Sequence, residues 1–86
     1  MPYVSMFFGI IIRMFYSEHN PPHFHAEYQG SEGIFSFEGK MIKGNIRSNT
    51  VLRLIGEWTI LHKLELEENW KNIADKAPIN KIEPLH

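Results

Sequence analysis

The chain has 86 residues, 43% hydrophobic and 22% charged, with nine Lys and Arg against ten Asp and Glu, a formal net charge of -1, five His and no Cys. That length supports one small core and excludes a two-domain enzyme, while a 13% aromatic content and weak net charge exclude a disordered tail and argue against a dedicated, strongly basic nucleic-acid binder. Without Cys there is no disulfide framework, thiolate zinc site, iron–sulfur cluster or cysteine nucleophile, so His carries most of the available ligand and acid–base chemistry.

In chain order, Met6 to Tyr16 reads as strand. Under a period of two, Ile10, Ile12, Met14 and Tyr16 share one face, and Ile11, Arg13 and Phe15 the other. Apolar residues on both faces predict an interior strand, and Gly9 marks a place where a short first strand, Val4 to Phe8, bends away. The apolar run stops at Arg13, short of the roughly 20 residues a spanning helix needs, and lacks the parts of a secretory signal. The expectation is a cytoplasmic protein without membrane attachment.

Ser17 to Pro22 is the strongest break, because two prolines fix φ and remove two donors. From His23 the alternation resumes, with His23, His25, Glu27 and Gln29 on a polar face and Phe24, Ala26 and Tyr28 on a core face. Gly30 to Gly33 is read as a turn, Ile34 to Glu38 as strand, Gly39-Lys40 as a hairpin turn and Met41 to Ile46 as strand. Such short spacers predict an antiparallel meander of three or four strands.

The period changes at Ser48-Asn49, where either residue can cap a helix. Val51, Leu54, Ile55, Trp58, Leu61, Leu66 and Ile73 then fall on one helical stripe, while Leu52, Ile60 and Leu64 lie off it. Either one long helix runs to about Lys76, or two shorter helices meet near Lys63 to Glu65. Pro78 stops the pattern and the closing residues read as extended. The expected architecture is α+β, a single domain over 1–86 with sheet in 1–46, helix in 48–76 packed on one face, and a tail in 77–86.

The main chemical constellation is His19, His23 and His25. Residues two apart on a strand lie roughly 7 Å apart on one face, so His23 and His25 can aim at one divalent ion such as zinc, with His19 folding back as third ligand. An exposed polar sheet face is the competing reading of the same residues. His62 interrupts the helical stripe, either as a core His bonded to a backbone carbonyl or as a residue joining His23 or His25. Glu27 and His62 are the candidates for acid–base work. The alternating His also resemble a fragment of the histidine-triad signature of nucleotide hydrolases and transferases, but the third alternate position is Glu27. No GxSxG, Walker-type, GxGxxG or HExxH motif is present. Lys40, Lys43, Arg47 and Arg53 form a segment without acids and, with Arg13, are the candidate contacts for an anion or a partner.

Taken together, the residues resemble a family catalogued as domain of unknown function 4160. The resemblance rests on Met1-Pro2, Phe8-Gly9-Ile10, Met14, Tyr16, the run His19-Asn20-Pro21-Pro22-His23-Phe24-His25-Ala26, Tyr28, Gly30, Glu57-Trp58, Leu61-His62, Glu65-Leu66, Asn69-Trp70, Ile82 and Pro84-Leu85. Ile46-Arg47 departs from the Leu-Pro that members often carry there. The resemblance implies a small stand-alone bacterial protein encoded beside another small protein, in the manner of a toxin–antitoxin pair, and supplies no catalytic residue. The leading expectation is therefore a partner-binding or regulatory protein, with self-association as a further form of partnership. The competing one is a metal-dependent hydrolase or nuclease in which His19, His23 and His25 hold the ion, Glu27 activates its water, and Arg13 or Lys43 stabilises phosphate charge.

Overall fold

The structure, a computed structural model, describes residues 3–16 and 18–86. Met1-Pro2 of the family resemblance and Ser17 of the predicted break lie outside the described residues. Five strands, β1 (Tyr3–Phe7), β2 (Ile10–Arg13), β3 (His23–Tyr28), β4 (Ser31–Ser36) and β5 (Met41–Gly44), are followed by two helices, α1 (Asn49–Leu61) and α2 (Lys63–Ala74). The strands pair in chain order and all antiparallel, giving an α+β fold built on a meander.

The strand count exceeds the expected three or four because the first apolar run folds on itself. Phe8 and Gly9 take φ of 50° and 79°, the left-handed pair that a two-residue hairpin turn requires. The next turn also moves. Gln29 and Gly30, at φ 47° and 82°, reverse the chain, so β4 begins at Ser31 rather than after a turn ending at Gly33. β5 ends at Gly44, yet Ile46 beyond it is buried.

Register separates the two faces of the sheet. Ile10 pairs with Tyr28, Ile12 with Ala26 and Phe24 with Phe35, placing these side chains together on the inner face. The helices cover that face through aromatic rings: Trp58 of α1 lies 5.5 Å from Phe7 and 5.6 Å from Phe24, and Trp70 of α2 lies 6.1 Å from Phe37. The same pairing puts Arg13 opposite His25 and Glu27 opposite Glu32 on the outer face.

Ser48 caps α1, its hydroxyl accepting from the Val51 N–H at 3.2 Å. The helical region is two helices that meet at His62, directly before the Lys63 to Glu65 stretch near which a break is expected. Val51, Ile55, Trp58, Leu66 and Ile73 of the predicted stripe are buried, but Leu61 is exposed. Leu61 is the last residue of α1 and keeps phase with Trp58, so periodicity gives the inward stripe but not where along the helix the core stops.

Residues 77–86 run extended and are tied down throughout. The Ile82 N–H donates to the Val4 carbonyl at 2.9 Å, and the Trp58 indole N–H to the Glu83 carbonyl at 2.8 Å. Asn69, buried on α2, reads the Asn80 backbone at both ends, donating to its carbonyl at 2.8 Å and accepting from its N–H at 2.9 Å. The Tyr16 hydroxyl adds a bond to the Ala77 carbonyl at 3.0 Å.

Candidate functional site

The polar alternation of β3 places His23 and His25 side by side on one face, their ring centres 5.5 Å apart. The connection from β2 turns back through a cis Asn20-Pro21 peptide. Glu18, in the same connection, lies over the start of β3. One carboxylate oxygen of Glu18 accepts from His25 Nε2 at 2.6 Å, and the other lies 3.1 Å from His23 Nε2. Ligand-type atoms of Glu18, His23 and His25 all fall within 4.8 Å of one another.

The group is walled by aromatic rings. Trp70 lies 5.3 Å from the His23 ring, and Phe15 meets His25 edge-on at 4.8 Å. The Pro21 carbonyl, 2.8 Å from His23 Nδ1, can only accept, so Nδ1 carries a hydrogen. All three side chains keep a partial opening to solvent, with exposures of 12% for His23, 21% for Glu18 and 29% for His25, so an ion or small ligand can reach them.

Partial burial acts to raise the Glu18 pKa and is outweighed by hydrogen bonds from His25 and His23 and by their charge, which hold the carboxyl below its usual range. A carboxyl depressed on folding stabilises the protein above its unfolded-state pKa and loses that contribution as pH falls through the lower folded value. Urea unfolding across the acid range should therefore show the gap between wild type and Glu18→Gln closing once pH passes below the ordinary carboxylate value. A gap that stays constant to the acid end would exclude this linkage.

The sequence-predicted residues divide. His23 and His25 come together, whereas His19 is exposed and outside the group, and Glu18 occupies the place expected of His19. Glu27 continues the same face but accepts from Arg13 Nε at 2.7 Å. His62 meets neither expectation: its Nδ1 donates to the Glu65 carboxylate at 2.6 Å, and its ring lies 5.7 Å from Trp58. Arg53 pairs with Glu57 along α1 at 2.8 Å, while Lys40, Lys43 and Arg47 are exposed. Lys43, opposite Ile34 in register, borders a recess shared with His25, whereas Arg47 borders another with Tyr28 and Asn45.

Sequence reasoning missed Glu18. Its only local signal is an acid within the break, adjacent to His19, and spacing alone does not say which of the two neighbours the turn directs toward β3. A second feature also escaped it. Ile60, Leu61 and Leu64, at the α1–α2 corner, are 72%, 67% and 81% exposed.

A family model described as "Domain of unknown function (DUF4160)" matches residues 9–71, a span that includes the Glu18, His23 and His25 group and the helix corner. No curated protein and no solved structure matches the chain.

Proposed function

The chain belongs to the family described as "Domain of unknown function (DUF4160)", and from that premise we propose that it is the small partner-binding or regulatory component of a toxin–antitoxin-like gene pair, acting in the cytoplasm. The observation that carries the reading is the helix corner. Val51, Ile55, Trp58, Leu66 and Ile73 already complete the inner core. Ile60, Leu61 and Leu64 add nothing to that core and stand in water within five consecutive positions. Large aliphatic side chains grouped on a surface mark a contact that another chain covers. Among the described residues, no helix is long and apolar enough to cross a membrane, so a bilayer-spanning helix does not account for them.

The test is co-expression with the product of the adjacent gene. A stable complex is expected, and Leu61→Asp combined with Leu64→Asp should weaken it by at least about 30-fold, as loss of a central apolar anchor does. Wild type that elutes alone at micromolar concentration would count against the reading, as would a double variant that binds normally. A chain that instead pairs with itself through the same corner would replace the foreign partner with a second copy.

The convergence of Glu18, His23 and His25 favours a second reading, a metal-dependent hydrolase or nuclease. In it the Arg13–Glu27 pair, beside His25 on the same face, would supply a charge for phosphate and a base for water. Hydrolysis of a phosphodiester by metal-loaded wild type, lost in Glu18→Gln, is the expected sign.

A further inference from the structure

From the geometry of the loop over β3 we infer that Glu18, His23 and His25 form one divalent-metal site of the zinc class, with Nε2 of each His and a Glu18 oxygen as ligands. This inference goes beyond the partner reading and stands independently of it. Sequence spacing alone named His19 as third ligand, and the structure selects a different donor set.

Three observations carry the assignment. The first is convergence: both Nε2 atoms face the same carboxylate, at 3.1 and 2.6 Å. Tetrahedral zinc with bonds of 2.0–2.1 Å sets its ligand atoms about 3.3 Å apart, and with the three ligand-type atoms already within 4.8 Å of one another, side-chain rotations that close this spread would seat the ion.

The second is the bond behind His23. With its Nδ1 hydrogen committed to the Pro21 carbonyl at 2.8 Å, the neutral ring carries its lone pair on Nε2. That lone pair faces a Glu18 oxygen at 3.1 Å, so two electron-rich atoms meet. Without an ion a second proton on Nε2 bridges this contact, as in the hydrogen bond from His23 to Glu18 described above, and a metal ion would take that proton's place with the same two atoms as ligands. A ligating His oriented by a backbone carbonyl through its other nitrogen is the usual arrangement around zinc, because it fixes both tautomer and ring plane.

The third is the donor count and its setting. Two His and one carboxylate leave a fourth position free, as in sites where zinc binds water or a substrate oxygen rather than only bracing the fold. Trp70 and Phe15 flank the two rings, and apolar walls of this kind strengthen the ion's hold on an anionic ligand. The chemical class of ligand for the open position is therefore water or an oxyanion.

The experiment uses the full chain without a histidine tag, stripped by chelator and titrated with Zn2+ against a chromophoric competitor, then with Co2+ for its visible spectrum. Wild type should take up one equivalent and show the intense absorption of four-coordinate cobalt. Glu18→Gln and His25→Ala should each weaken binding by at least about 100-fold, the upper end of what loss of a supporting residue alone costs. His19→Ala and His62→Ala should bind as wild type does. Added Zn2+ should raise the Tm of wild type and leave that of Glu18→Gln unchanged. Glu18→Gln is nearly isosteric and its fold is checked by circular dichroism, so the test holds even if His25→Ala unfolds.

Wild type that takes up no ion would overturn the site. So would uptake that survives both Glu18→Gln and His25→Ala, which would put the ion elsewhere, or uptake abolished by His19→Ala alone. Partner capture is measured separately, so failure of either proposal is visible without the other.

Discussion

Trp58→Ala should lower the free energy of unfolding by about 3–5 kcal/mol, the range for deleting a fully buried aromatic side chain. Trp58 has no solvent exposure and joins three parts of the fold: Phe7 of β1 at 5.5 Å, Phe24 of β3 at 5.6 Å and the Glu83 carbonyl at 2.8 Å. A domain of this length has roughly 4–13 kcal/mol of stability in all, so this one truncation removes a large share of it. Trp58→Phe keeps ring contacts and gives up the indole hydrogen bond, worth about 1 kcal/mol, along with part of the ring volume. Urea unfolding of the two variants separates the contributions. A Trp58→Ala loss below about 1 kcal/mol would mean that the ring is not the joint between sheet and helix described above.

Gly44→Ala should be nearly as damaging, by about 2–4 kcal/mol, for a different reason. Gly44 closes β5 opposite Gly33 with φ at 138°. A Cβ there would overlap the Glu32 carbonyl oxygen and the Gly33 Cα. Neither backbone atom can retreat freely, because the Asn45 N–H donates to that same Glu32 carbonyl at 2.8 Å, and the Asn45 side chain accepts from the Glu32 N–H at 3.0 Å. Gly30→Ala is the control. It shares a left-handed φ, 82°, but nothing lies within 4 Å of the added carbon, so it should cost only about 1 kcal/mol of backbone strain. Equal losses in thermal or urea unfolding would show that the φ angle alone, not the close strand approach, sets the requirement for glycine at position 44.

Much of the sheet is legible because its side chains alternate without interruption. Phe24 and Ala26 against His23, His25 and Glu27 is a pattern with one solution, a strand with an inner and an outer face. The division of the first apolar run into β1 and β2 is half-legible: Gly9 signals a bend, but a full two-residue reversal also needs Phe8 at φ 50°, which an aromatic residue rarely adopts. Leu61 keeps helical phase with Trp58 and is still exposed, since periodicity marks the inward face of α1 but not where along the helix the core ends. The candidate site escapes local pattern in the same way at Glu18. Strand spacing fixes His23 and His25, but the third member comes from a loop, and whether Glu18 or His19 reaches inward depends on the path through Asn20 and Pro21. The reciprocal pairing of Asn69 with the Asn80 backbone has no local motif, because its two halves lie on a helix and an irregular tail.

The tail has a consequence for synthesis. Ile82 is buried and Leu85 packs against the same core as β1, while the Ile82 N–H caps a carbonyl of that first strand. The earliest and latest residues of the described fold therefore depend on each other. On a ribosome, where chains fold as their domains emerge, the sheet can assemble early but its inner layer stays incomplete until residue 85 has cleared the exit tunnel. Until then Phe7, Phe24 and Trp58 have no finished cover.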